Sequence, residues 1–413
     1  MFAEGTRERG AWPRLGGFHD QGVLAFAQER CTHLGRKAPA VIAGFFFWLE
    51  HKTKWKLFEF APPLLFIYLL PVVLSNSGVI PTKSPVYSGL SDLALPMFLV
   101  LLLMNVDVAA TVRVMGKGVF VMLAGTLGVV IGAPIGYALV ASHLGPETWK
   151  GFGALAGSWI GGTGNMAAVS EGLGTSGTDF GLAVIADNGI YLVWLPILLA
   201  SKNIADRFHK FTGVSADRVH EMKKAAEDLK TEKEPILMRH LLYLFALGFS
   251  VTALAGFIAP LLPELKPVLT ESTYRILLIT TMGLLLSQTN ARKIPGSHEL
   301  AMALIYLFVA NMGAKASLEG LAGQAPWFLL GAAVWIVIHG AFLLLAARFF
   351  KVDVHTAAIA SAANIGGAAS APVVAACHDE RLVPVSVLMA MIGYAVGNYG
   401  AFAAAYLCSL VAP

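Results

Sequence analysis

Charge is scarce in this chain. Only 14% of its 413 residues are Asp, Glu, Lys or Arg, whereas soluble domains carry about 25%. The low charge accompanies 56% hydrophobic residues and a mean hydropathy of +0.66, and apolar stretches recur along almost the whole length. These properties exclude an ordinary soluble protein and predict a polytopic integral membrane protein that lies in a lipid bilayer.

Cysteines and enzyme motifs are scarce as well. The three cysteines, at positions 31, 377 and 408, are too few and too scattered for a disulfide framework or a zinc site. No HExxH, GxSxG or GxxxxGK[ST] motif occurs, and the eleven histidines do not cluster at the spacings of metal ligands. The net charge of +4 is modest, and the basic residues fit membrane topology better than a nucleic-acid surface. We therefore expect no enzyme, no cofactor and no nucleic-acid partner.

The sequence divides into four regions. Residues 1–37 mix arginines with acids and prolines, and we expect a mobile N-terminal extension there. Two transmembrane regions, 38–200 and 240–413, flank a charged connector, 201–239, with nine Lys and Arg and no apolar run. Apolar windows predict about ten membrane-spanning helices, over 58–79, 90–108, 119–141, 180–200, 241–263, 273–290, 298–316, 326–349 and 383–408, with a marginal segment at 38–49 that either spans or lies at the interface.

Two Gly-rich segments interrupt the apolar pattern. They are GSWIGGTGNM (157–166) and SAANIGGAASAP (361–372), and IGGTGNM in the first aligns with IGGAASA in the second at an offset of 205. Flanking stretches of the two halves also match, and this alignment pairs Asn105 with Asn311 and Asn188 with Asn398. Internal duplication with interrupted helices at matching positions is typical of secondary transporters and indicates their binding site.

The charge distribution distinguishes two topologies for these motif segments. If each is a re-entrant hairpin, 19 Lys and Arg of the connections lie inside and five outside; if each crosses as a broken helix, the numbers become 9 and 15. Basic residues concentrate on the cytoplasmic side, although long connectors weaken the rule. The rule favours hairpins and a cytoplasmic connector. The first hairpin then enters from outside and the second from inside, so the two halves are inverted repeats.

The polar residues of the two motifs are the candidate binding site. Broken helices in a membrane expose backbone groups, which are tolerated only inside protein or against a water-filled cavity. A half-helix that begins at a tip directs N–H groups at an anion such as a carboxylate, and carbonyls at the end of a half-helix suit sodium. Close packing of small residues explains the glycines but not Thr163 and Asn165. The predicted substrate-binding residues are Gly161, Gly162, Thr163, Gly164, Asn165, Asn364, Gly366, Gly367 and Ser370.

An acidic residue inside a predicted span is the second signal. Asp187 lies near the middle of the 180–200 span, beside Asn188, and a carboxylate at that depth is costly and indicates proton relay or cation binding. The structural alternative is a partner for a polar neighbour. We predict that a sodium ion binds at Asn165 and Asp187, and that Asn398 faces Asn188. The predicted ion-coupling residues are Ser158, Asp187, Asn188 and Asn398.

Three stretches resemble a known family. APPLLFIYLLPVVLS, GSWIGGTGNMAAVSE and ADNGIYLVWLP, which begin at residues 61, 157 and 186, are similar to the membrane family catalogued as domain of unknown function 819, over about residues 38–410. The resemblance implies the cation:proton antiporter and anion transporter superfamily, in which 2-hydroxycarboxylate and sodium/glutamate symporters have paired GGxG re-entrant tips. The second tip departs from that pattern at Ala369. The Asp187–Asn188 pair differs in order from the acidic pair of sodium/proton antiporters.

The leading hypothesis is an all-α secondary active transporter in the plasma membrane that couples a small organic anion to sodium or protons. The superfamily resemblance implies an elevator-like movement of the motif-bearing core. Three alternatives remain: a cation/proton antiporter centred on Asp187, the membrane subunit of a decarboxylase-driven ion pump, and a membrane-embedded sensor. The sequence leaves substrate, coupling ion and oligomeric state open, and a homodimer is one arrangement that it allows.

Overall fold

The computed structural model describes residue 38, residues 40–55, residue 58 and residues 63–214 and 234–413. The predicted N-terminal extension and about half of the predicted connector, residues 215–233, lie outside these ranges. Within them every regular element is a helix, apart from an isolated bridge between Leu265 and Leu269. The all-helical class predicted from composition is confirmed.

Most of the described helices are joined by short connections, and the longest separation between two of them is residues 213–237. They are α1 (40–53), α2 (Pro63–Asn76), α3 (Pro85–Leu103), α4 (Val108–Met115), α5 (Lys117–Val140), α6 (Trp149–Gly172), α7 (Gly177–Ala200), α8 (Ala205–Thr212), α9 (Met238–Ile258), α10 (Glu271–Leu286), α11 (Ser297–Ala314), α12 (Leu318–Phe350), α13 (Val354–Ile365), α14 (Gly367–His378) and α15 (Val383–Ser409). The first motif lies in α6, and the second occupies α13 and α14. We call these the first and second motif segments.

Six helices of the described chain are long and apolar enough to cross a membrane, namely α3, α5, α7, α9, α12 and α15. The prediction of about ten spans is not confirmed. One further apolar helix among the described residues falls short, because α2 has 14 residues, whereas a perpendicular span needs about 20 residues at 1.5 Å each. The chain is an integral, multi-pass membrane protein.

The helices pack in two groups. The core group contains both motif segments together with α5, α7, α12 and α15, and the flanking group contains α2, α3, α9, α10 and α11. The groups meet where α3 and α10 pack against the first motif segment. A large hydrophobic cluster, in which the ring of Trp335 stacks on Phe152 and contacts Trp159 at a tilt, extends through both groups.

Small residues let two long helices of the core group approach closely. Gly128, Gly132 and Gly136 lie one turn apart on α5 and face α12. A methyl group on Gly128 would lie 2.8 Å from the Cβ atom of Phe342, and Trp335 donates from its ring to the Val129 carbonyl at 2.7 Å. The glycines of this helix therefore serve packing, as small residues do at other membrane helix interfaces.

Candidate functional site

The first motif segment folds back on itself at Gly162. This residue has φ +76° and ψ −175°, a conformation that is essentially restricted to glycine. A methyl group on Gly157 would lie 2.8 Å from the carbonyl oxygen of Asn165. In a straight helix these two residues would be about 12 Å apart along the axis. The halves before and after Gly162 therefore lie side by side.

The second motif segment folds back in the same way. Gly366 ends α13 and Gly367 opens α14 with φ +59°. The Nδ1 atoms of His355 and His378 are 2.9 Å apart, although 23 residues separate them, which would span about 35 Å of straight helix. Each motif segment thus has a tip at its glycines and a base where its two ends meet.

The two tips meet, and the two bases lie far apart. A methyl group on Gly367 would be 3.4 Å from the Cα atom of Gly162. At the first base, Thr148 donates to Asp179 at the start of α7. At the second base, His378 bonds the Leu198 carbonyl near the end of the same helix. Because Asp179 and Leu198 are 19 residues apart on α7, about 28 Å of helix separates the two bases.

A cavity of about 110 Å³ lies where the tips meet. Seven residues of the predicted site region line it, Gly162, Thr163, Gly164, Gly366, Gly367, Ala368 and Ala369. The opposite wall comes from the flanking group and from α15, with Leu102, His298, Met302, Ile305 and Tyr394. Both α14 and the second half of α6 begin at this cavity, so two helix N-termini face it. Partial positive charge and unpaired N–H groups at such termini favour an anion.

Asn165 is fully buried and does not line the cavity. Its Nδ2 atom donates to the Tyr394 carbonyl at 3.2 Å and to Oδ1 of Asn398 at 3.1 Å. Asn398 in turn donates to Thr280 at 2.8 Å. The Oδ1 atom of Asn165 is buried and has no hydrogen-bond partner among the described residues. Two residues predicted separately from sequence, Asn165 and Asn398, thus form one polar network behind the first tip.

Asp187 contacts the first motif segment at a different place. Its Oδ2 atom accepts from Ser158 at 2.9 Å and its Oδ1 atom from the ring of Trp159 at 3.0 Å. Asn188 instead donates to Val184 of its own helix at 2.8 Å. The described hydrogen bonds join neither Asp187 to Asn165 nor Asn188 to Asn398. The structure therefore brings Ser158 and Asp187 together but does not group all four predicted ion-coupling residues.

The polar residues of the second motif segment hold that segment in place. Asn364 donates to the Met122 carbonyl at 3.0 Å and accepts from Thr126 at 3.2 Å, both on α5. Ser370 lies against Gly366, where a methyl group would overlap the serine hydroxyl. In the first segment a methyl group on Gly161 would likewise lie 2.6 Å from Oδ1 of Asn165. The two pairs correspond to each other, because Gly366 and Ser370 lie 205 positions after Gly161 and Asn165.

His298 and Tyr394 are cavity residues that the sequence analysis did not identify. His298 is at the start of α11, beside the acidic Glu299, a context typical of a solvated helix end. One weak indication of this region was the internal match of Asn105 with Asn311. In the structure Ser297, the residue before His298, donates a hydrogen bond to Asn105 at 2.8 Å. Nothing in the sequence relates the first turn of α11 to the Gly-rich tips.

Comparison with known proteins identifies relatives over nearly the whole length. The chain is 25% identical over 369 residues to the "Uncharacterized membrane protein YjcL" of Bacillus subtilis (strain 168), and the alignment covers 87% of this chain and 92% of that protein. Residues 38–410 match the family described as "Protein of unknown function (DUF819)". The resemblance that the motifs indicated is therefore confirmed at the level of the family, and the chain belongs to the DUF819 family.

Proposed function

We propose that this protein is a secondary active transporter that moves a small organic anion together with sodium or protons. The observation that carries the proposal is the meeting of two Gly-rich tips, from opposite bases, at one cavity inside the helical bundle. We further propose that the motif segments are re-entrant hairpins and that the halves of the chain are inverted repeats. The fold-back of each segment and the matched glycine–polar pairs support this topology.

The chemistry of the cavity supports an anionic substrate. Two helix N-termini face the cavity, each carrying roughly half a positive charge, and the Thr163 hydroxyl and the His298 imidazole add hydrogen-bonding groups. None of the described residues that line this cavity carries a carboxylate group. A carboxylate group of the substrate would accept from the backbone N–H groups after Gly162 and Gly367, as anions do at other helix N-termini.

The polar network behind the first tip supports a sodium site. The position that a methyl group on Gly161 would take is 2.6 Å from Oδ1 of Asn165 and 2.7 Å from the Gly393 carbonyl oxygen. These two oxygens therefore lie near each other, and hard cations prefer oxygen ligands. We propose that sodium binds Oδ1 of Asn165 with nearby backbone carbonyls. Asp187, bonded to Ser158 and Trp159, would act separately as a proton carrier.

The division into two helix groups supports an elevator-like movement. The tips belong to the core group, whereas Leu102, Met302 and Ile305 of the flanking group form an apolar wall opposite them. An apolar wall forms few directional bonds, so the core group can slide along it and carry the bound anion. We propose that the 201–239 connector lies in the cytoplasm, and its nine Lys and Arg residues support that orientation.

The test is a thermal-shift screen of the purified chain, followed by uptake into proteoliposomes. Malate, citrate and glutamate are each added with sodium and with choline, at two pH values. We expect at least one carboxylate to raise the melting temperature, with a larger rise in sodium. His298→Ala should reduce the rise, whereas His143→Ala, whose ring stacks on Trp327 outside the site, should not. If neither sodium nor any carboxylate stabilises the protein, the symport proposal fails.

A cation/proton antiporter is the second candidate. Asp187 favours it, because this carboxylate touches the first motif segment through Ser158 and Trp159. Sodium-dependent proton movement without any organic anion, abolished by Asp187→Asn, would support antiport. Uptake of a carboxylate by the purified chain alone would contradict both antiport and a decarboxylase-driven pump, which needs a partner enzyme.

A further inference from the structure

Three side chains that are distant in sequence converge beside the base of the second motif segment. His209 lies on α8, Asp353 caps the start of α13 and His355 is in the first turn of α13. One potential ligand atom from each lies within 4.8 Å of the others. We propose that these residues bind one divalent transition-metal ion, for which zinc is the appropriate probe. The site is separate from the cavity at the tips and does not depend on the proposed transport function.

Hydrogen bonds fix the orientation and the tautomer of His355. The Nε2 atom of His378 lies 2.9 Å from the Leu198 carbonyl, which only accepts, so this nitrogen carries the proton. A neutral His378 then has its lone pair on Nδ1, and His355 donates to it from Nδ1 at 2.9 Å. A neutral His355 consequently has its lone pair on Nε2. Metal-binding histidines commonly donate their other ring nitrogen to such a neighbour.

The other two residues complete a suitable set of donors. The Nε2 atom of His209 is buried and has no hydrogen-bond partner in the described part of the chain. Asp353 is buried, and its two oxygens accept from the backbone nitrogen and the hydroxyl of Thr356, at 2.9 and 2.7 Å. These bonds hold the carboxylate in one orientation, and each oxygen keeps a further lone pair.

Two imidazoles and one carboxylate match the ligand set of zinc sites that keep a fourth position for water. A tetrahedral ion with bonds of about 2.1 Å holds its ligand atoms roughly 3.4 Å apart, so small side-chain rotations would close the site. The ion would join α8, which follows α7, to the start of the second motif segment. No local sequence pattern indicated this cluster, because 144 positions separate His209 from Asp353.

The experiment measures zinc binding to the purified full chain, freed of any polyhistidine tag and treated with chelator. Isothermal titration gives affinity and stoichiometry, and the visible absorption of bound cobalt reports a tetrahedral site. The variants are His209→Gln and His355→Gln, which keep a polar side chain of similar length. The control is His51→Gln, at an exposed position near the end of α1. A melting curve of each variant, recorded after chelator treatment of the protein, shows whether the variant is folded.

We expect one zinc ion per chain, with affinity reduced at least roughly 100-fold in either ligand variant and unchanged in the control. His378→Leu, which removes the acceptor for His355, should weaken binding by about 10- to 100-fold. The proposal is overturned if the wild-type chain shows no saturable zinc binding. It is also overturned if folded His209→Gln and His355→Gln variants bind zinc as the wild type does, since the ion then sits elsewhere.

Discussion

Replacement of Gly162 by alanine tests the reversal on which the candidate site depends. The φ of +76° at this residue, with ψ −175°, is a conformation that an alanine adopts only with strain of about 1–3 kcal/mol. Space is not the obstacle, because the added methyl would lie 3.6 Å from a ring carbon of Tyr394 and 3.9 Å from Cα of Gly367, which are ordinary contacts. The expected destabilisation therefore comes from the backbone alone.

The assay is thermal unfolding of the purified protein, followed by tryptophan fluorescence. A loss of 1–3 kcal/mol predicts a melting temperature lower by roughly 1–4 °C in a chain of this length. The matched control is Gly256→Ala on α9, a helical glycine without positive φ and with nothing within 4 Å of the new methyl. Alanine is the better helix former by about 0.5–1 kcal/mol, so the control should melt at the same or a slightly higher temperature.

A second control separates strain from loss of the site. Gly174 also has positive φ, +61°, but lies in the loop after the first motif segment with open space around it. Gly174→Ala should destabilise the protein while leaving any carboxylate-induced stabilisation intact, whereas Gly162→Ala should lose both. A Gly162→Ala protein that melts at the wild-type temperature would show that the chain does not reverse at this residue, and the account of the first tip would be wrong.

Three further predictions concern the polar groups around the site. Asn165→Ala removes the bonds to Asn398 and to the Tyr394 carbonyl and leaves buried groups unpaired, so we expect a loss of about 1–3 kcal/mol and no sodium-dependent rise in melting temperature. Asp187→Asn should keep sodium-dependent anion uptake but change its pH dependence, as measured in proteoliposomes; complete loss of uptake at every pH would contradict separate sodium and proton sites. Asp107→Asn breaks a partly exposed ion pair with Arg292 at 2.7 Å and should cost no more than about 1 kcal/mol, a difference that high salt should reduce in denaturation curves.

Local sequence information was sufficient for the class of protein and for the position of the tips. Low charge and long apolar stretches determine a helical membrane protein, because the bilayer forces every backbone group to find its partner within a helix. The family assignment from the motifs is confirmed. The prediction of about ten spans is not confirmed, since six of the described helices are long and apolar enough to cross a membrane and hydropathy windows do not distinguish a full crossing from a short helix such as α2. The substrate and coupling ion stay predictions.

The sequence by itself determined where the helices break, because glycine at 162 and 367 permits backbone angles that other residues avoid. Only the tertiary structure decided what those breaks face. Three arrangements in the tertiary structure join residues more than 130 positions apart. Asn165 bonds to Asn398, His298 lies in the cavity wall opposite the first tip, and His209 converges with Asp353. Such contacts follow from how whole helices pack against one another, and no local pattern of residues encodes that packing.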